Sequence, residues 1–272
     1  MRTAPVTEPP RPVAGDLTMG GVLRSEWTKF RSLRSTWWLL IGTVILSVGL
    51  GVVVIVLEIS GGGAKQQPPY QVAQQTETAA LITQLVLGVL GILMFTGEYG
   101  SGMIRISMSV VPRRVMLLWA KLSVLSVIAA PLTLVSALLA FVLGDLVWQS
   151  HRGLVHVGFG DPQVTRIVIG SGLVVAVTAV CGFGIGAIIR STAGSIGTLV
   201  GIFFVLPLVA QAALPRSVAG LARFLPSNAG DAMWGGAIGP RSLSAWSGFA
   251  LLCGYAVVLV AVAGWRLRRG DA

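Results

Sequence analysis

Six stretches of the chain carry no formal charge and few polar side chains: 37–57, 79–97, 122–144, 167–189, 196–214 and 245–265. They hold 21, 19, 23, 23, 19 and 21 residues. A helix needs about 20 apolar residues to cross the hydrocarbon layer. Lipid offers backbone groups no partners, so the helix must satisfy its own. The pattern therefore predicts an all-α membrane protein with six transmembrane helices. Residues 1–20, with the run EPPRPVAGD, lack an apolar core and read as a disordered tail. Residues 21–272 form one six-span domain.

Within the spans, Pro131 and Pro207 each remove a helical hydrogen bond and are expected to kink the third and fifth helices. Gly182 to Gly186 and Gly197 to Gly201 have the spacing that lets backbones touch in lipid, chiefly within the chain and less often between copies. The cysteines Cys181 and Cys253 lie inside spans and read as small core residues.

Ahead of the first span, Leu23, Trp27, Phe30, Leu33 and Trp37 recur along one helical face, while Arg24, Lys29 and Arg31 lie off it. Such a helix rests in the headgroup layer. Glu26 and Arg34 fall awkwardly on its apolar side. Between the second and third spans runs EYGSGMIRISMSVVPRR, from Glu98 to Arg114. Gly100 and Gly102 permit a tight reversal, and Ile104, Ile106 and Met108 are apolar for a solvated loop. A docking surface accounts for both features, with a simple basic flank as the alternative. Between the fifth and sixth spans, Val218, Leu221, Ala222 and Leu225 share a helical face that Pro226 is expected to end. An outer re-entrant hairpin and a surface loop fit this segment equally well.

Composition agrees with the pattern. Of 272 residues, 54% are hydrophobic and only 11% charged, and mean hydropathy is +0.82; soluble domains are about one-quarter charged. The net charge of +10 would point to nucleic acid in a soluble protein. Here its distribution points to topology instead. With the N-terminus inside, 14 of the 20 basic residues fall in inner segments and six in outer ones. The positive-inside rule then places both termini in the cytoplasm. Trp37, Trp38, Trp119 and Trp265 fall at inner helix ends, and Trp148 and Trp246 at outer ends, as an aromatic belt.

Catalytic machinery is not evident. No Gly-Lys dipeptide occurs, so no phosphate-cradling P-loop can be built. His151 and His156 share a segment with Asp145 and Asp161 at spacings that match no metal signature. No histidine or carboxylate falls inside the apolar windows, which counts against an ion-gradient-driven transporter. The apolar loop after Glu98 counts against a membrane scaffold without transport. Gln84, Thr178 and Gln211 are among the few polar side chains available to line a path, which leans towards amphipathic or hydrophobic cargo.

LRSEWTKFRSLRSTWWLL from Leu23, and GEYGSGMIRISMSVVPRRVMLLWAKL from Gly97, resemble bacterial permeases of the ABC-2 type, especially six-span members from GC-rich genomes. The resemblance implies the transmembrane subunit of an ATP-powered exporter, not itself an enzyme, in the bacterial cytoplasmic membrane. It implies a separate ATPase subunit that holds the ATP and Mg, a second permease subunit (identical or different), lipid contacts and no nucleic acid. Leu23, Trp27, Phe30 and Leu33 would form the family's interfacial connecting helix. Glu98, Gly102, Arg105, Pro112, Arg113 and Arg114 would couple to the ATPase, with Glu98 braced by Arg105 or by backbone donors. This chain itself would hold no cofactor and no metal. The tail before Gly20 departs from the family's compact N-terminus.

Overall fold

The computed structural model describes residues 18–61, 69–100, 114–150, 158–213, 219–235 and 243–269. In chain order the helices are α1 (Met19–Ser32), α2 (Arg34–Ser60), α3 (Pro69–Glu77), α4 (Ala80–Gly100), α5 (Arg114–Gln149), α6 (Pro162–Ile189), α7 (Thr192–Val200), α8 (Leu206–Ala213), α9 (Pro226–Asp231) and α10 (Ala245–Arg269). A π turn, Gly201–Val205, joins α7 to α8, and a 3-10 turn, Ala219–Phe224, precedes α9. No strand occurs among the described residues. Six segments are long and apolar enough to span a membrane: α2, Tyr70–Tyr99 (α3 with α4), α5, α6, Thr192–Ala210 and α10.

Helix α6 is the hub. Its apolar window is 72% buried inside the protein, against 22% for the fifth span and 28% for α2 and α10. Glycines put it there. A Cβ on Gly182 would strike the Gly88 carbonyl, and one on Gly91 would strike the Ala179 carbonyl. The α4 and α6 backbones are thus in direct contact, which in lipid is where packing attraction is strongest. Gly184 meets Leu259 of α10 in the same way. The α6 glycines therefore serve packing within the chain, whereas Gly197 and Gly201 face open space.

Helix α3 wedges between α2 and α5. Room is made by Gly51, whose Cβ would lie 3.0 Å from the Thr76 carbonyl oxygen, and by Gly144, whose Cβ would lie 3.0 Å from Thr76 Oγ1. The span breaks between α3 and α4, where Thr78 N–H donates to the Gln75 carbonyl and Leu81 N–H to the Thr78 carbonyl. The second span thus extends back to Tyr70 and carries Glu77 inside it. This corrects the expectation that no carboxylate lies within a span. The apolar-window reading treats every neighbour as lipid, whereas α3 is surrounded by protein, so a polar side chain can be buried there.

The two prolines behave differently. Pro131 lies inside a helix that runs unbroken for 36 residues. Pro207 follows the π turn, in which Leu206 N–H reaches back to the Gly201 carbonyl. A π turn accommodates a backbone stretch with a missing donor without ending the helix. The 3-10 turn that carries Leu221 and Ala222 ends at Phe224, just before Pro226, and Pro226 then opens α9, because its fixed φ suits the first turn. From there the chain folds into the bundle. Ala229 packs on Gly248, Met233 on Gly170 and Gly230 on Val174. Val174 lies 12 residues into α6, a depth of about 18 Å. This re-entrant course replaces the surface-loop alternative. Trp148 also departs from the belt: it is 2% exposed in the core, while Trp37, Trp38, Trp119, Trp246 and Trp265 are exposed.

Candidate functional site

The first helix supplies half of the site. Thr18 caps α1 by accepting from Gly21 N–H, and Lys29 and Arg31 occupy the last turn, where positive charge complements the helix dipole. The helix stops at Ser32, and Leu33 adopts an extended conformation before α2. Leu23 through Trp37 therefore do not share one continuous helix. The face turned to the protein is Val22, Glu26 and Phe30. Leu23 is half-buried beside Val22, while Trp27 and Leu33 are exposed. Of the four residues assigned to the interfacial helix, Phe30 is buried, Leu23 is partly so, and two face outward.

Glu26 is 3% exposed and has two partners. Lys121 Nζ donates to Glu26 Oε2 at 2.7 Å, and Lys29 Nζ donates to Glu26 Oε1 at 2.9 Å. Both ammonium groups also reach Glu98: Lys121 at 2.8 Å and Lys29 at 3.0 Å, each to Oε1. Among the described residues, two carboxylates and two ammonium groups thus form a knot that ties α1, α4 and the first turns of α5. Burial works against the Lys29 ammonium, but its hydrogen bonds to Glu26 and Glu98 outweigh this and hold it above the usual 10.5. Glu98 is therefore braced by two lysines; Arg105, the partner expected for it, lies outside the described residues.

The same end of α4 meets a second element. Arg190 terminates α6 in the left-handed region at φ 60°, an uncommon conformation for a residue with a Cβ. The turn carries its guanidinium over the Tyr99 ring, 5.7 Å from the centroid. Two residues on, Thr192 Oγ1 donates to Thr96 Oγ1 at 2.9 Å. Tyr99 also lies against Phe95, which packs edge-on to Phe183 of α6. The last turn of α4 is therefore a junction, gripped by α1 and α5 on one side and by the α6–α7 turn on the other.

Among the residues assigned to coupling, Glu98 sits at the centre of this junction. Gly102, Arg105, Pro112 and Arg113 lie outside the described residues; Arg114 opens α5, and its side chain is likewise outside them. Sequence reasoning missed Glu26, Lys121, Tyr99 and Arg190. The available signals were Glu26 on an apolar face, and Glu98 and Lys121 each abutting an apolar window. Gln84 and Thr178 are 1% and 0% exposed and packed between helices. The Gln211 side chain lies outside the described residues.

Among the described residues no three His, Cys, Asp or Glu side chains gather as metal ligands, and Cys181 and Cys253 are free thiols. The arrangement is a mechanical joint between helices.

Residues 22–208 match the profile of the family described as ABC-2 family transporter protein, over two thirds of the chain. The chain belongs to that family. No curated protein matches it. The match begins in α1 and ends in α8, so the matched region of this ABC-2 permease takes in Glu26, Glu98, Lys121 and Arg190. Helix α9 and the sixth span, α10, lie beyond the matched region.

Proposed function

We propose that this ABC-2 permease is the transmembrane half of an exporter, driven by a separate ATPase subunit that binds ATP and Mg, and that it works as a pair of permease subunits in the bacterial cytoplasmic membrane. One observation carries the coupling assignment: the end of α4 is joined to α1, α5 and the α6–α7 turn immediately before residues 101–113. Force applied to the segment after α4 reaches three helices through charged and aromatic contacts too well packed to absorb it. Helix α1 lies on the lipid surface with Trp27 outward and acts as the strut against which α4 tilts. Arg113 and Arg114 hold the start of α5 at an anionic inner surface, where each basic residue contributes about 1 kcal/mol.

The reading is tested in a reconstituted complex of permease and ATPase. Glu98→Gln, alone and with Arg105→Ala, is expected to leave insertion and ATPase binding intact while raising the ATP hydrolysed per molecule exported. Wild-type stoichiometry in both variants would sink the coupling assignment. Tags near Met1 and at Ala272 are expected to be reachable from the cytoplasm, and one near Gly62 from outside; the opposite pattern would overturn the orientation.

A further inference from the structure

Far from the knot, a second charged group is buried deeper. Glu77, the last residue of α3, is 2% exposed. It lines a cavity of about 10 Å³ together with Ser47, Thr83, Thr133, Ser136 and Ser171, room for one water-sized occupant. The rest of the wall is alanine, glycine and valine, so α2, α4, α5 and α6 bring no second titratable or charged side chain to it. Ser47 lies 13 residues from either end of α2, which places the cavity about 20 Å from each end.

Its chemistry is one-sided. Thr83 donates to the Ala79 carbonyl at 3.0 Å, Thr133 to the Ala129 carbonyl at 2.9 Å and Ser136 to the Leu132 carbonyl at 2.7 Å. Each hydroxyl has one proton, already spent on its own helix, so it offers the cavity only lone pairs. Ser171 has one proton for two acceptors, Glu77 Oε2 at 2.6 Å and the Val168 carbonyl at 2.9 Å. Glu77 Oε1 is buried without a hydrogen-bond partner. A lone carboxylate at this depth is costly unless it is neutralised. A cavity into which three hydroxyls and a carboxylate offer lone pairs, at the C-terminal end of a half-helix in a broken span, favours a positive occupant.

We propose that this cavity is an intramembrane site for one small monovalent cation, Na+, which binds at Glu77 in exchange for a proton. With the site protonated, the acid proton on Glu77 Oε2 is shared with Ser171, and Ser171 turns its own proton to Val168. On exchange the O–H bond breaks, the proton passes to water of the aqueous phase, and a Na+ from that phase takes the carboxylate charge and the hydroxyl lone pairs. One positive charge enters as one leaves, so the site stays neutral in lipid. A divalent ion would leave an unbalanced charge, and Na+ approaches carboxylate and hydroxyl oxygens more closely than the water-sized K+.

The test uses the purified full-length chain in lipid nanodiscs, without an ATPase, so its outcome is independent of the export reading. Thermal unfolding is followed at pH 8 in NaCl, KCl and choline chloride of equal ionic strength. Na+ alone is expected to raise Tm in a saturable way, and its half-saturating concentration to rise about tenfold for each unit of pH lowered once the proton competes. Glu77→Gln abolishes the Na+ effect. Should that variant fail to fold, Thr133→Val and Ser136→Ala carry the test, each raising the half-saturating Na+ about tenfold by removing a ligand to a charged group. Equal wild-type Tm in Na+ and choline, or a Na+ effect that survives in Glu77→Gln or is unmoved by both hydroxyl variants, overturns the proposal.

Discussion

Glu26 and Lys121, 95 residues apart in sequence, form an ion pair of 2.7 Å in which both side chains are 3% exposed. Paired, they join the first helix to the third span. Separated, each would be a buried charge with one partner fewer. Lys121→Met should therefore destabilise the protein by about 3–5 kcal/mol, because two carboxylates are left sharing Lys29. Adding Glu26→Gln should recover part of that loss, with a coupling energy of about 1–3 kcal/mol in a double-mutant cycle. Thermal unfolding of the four proteins in detergent measures it; strictly additive effects would mean the pair is not coupled.

Glycines at the hub and glycines of the fifth span should respond differently. Gly91→Ala and Gly182→Ala drive a methyl group into backbone carbonyls, and neither carbonyl can yield without parting α4 from α6. Each should cost about 1–3 kcal/mol or more. Gly197→Ala and Gly201→Ala meet nothing within 4 Å and should stay within about 0.5 kcal/mol of wild type. Comparing the four Tm values decides whether the glycine contacts are within the chain.

Arg190 combines a left-handed backbone with a cation–π contact. Arg190→Ala loses the contact and keeps the strain. Arg190→Gly loses the contact and releases the strain, so the glycine variant should be more stable than the alanine variant by about 1 kcal/mol. The reverse order of Tm would show that the turn is not left-handed.

Burial pushes the Asp231 carboxyl up from 3.8 to about 7, and its Oδ1 has no hydrogen-bond partner among the described residues. The folded protein then holds this proton more tightly than the unfolded chain. The resulting stabilisation is complete below pH 3.8 and is lost as pH rises to about 7. The difference in Tm between wild type and Asp231→Asn should fall across that window and level off above it. A difference independent of pH would contradict the buried, protonated carboxyl.

The six spans and the helical class were legible in the sequence because a membrane helix satisfies its own backbone, so its signal is local and needs no knowledge of neighbours. The re-entrant segment was not legible: the visible period of Leu221, Ala222 and Leu225 falls on a turn whose Leu221 is exposed, whereas the inward fold rests on Ala229 and Met233 meeting Gly248 and Gly170. Tertiary structure alone decided the charged sites. Glu77, Glu98 and Lys121 each stand within two residues of an apolar window, and a reading by windows ends the span where the charge begins. The chain does not end there, because the neighbours of those side chains are serine hydroxyls and opposite charges contributed from as far as 95 residues away. Hydropathy measures a residue against lipid. What Glu77 and Glu26 meet is protein, and only the packed bundle brings those partners together.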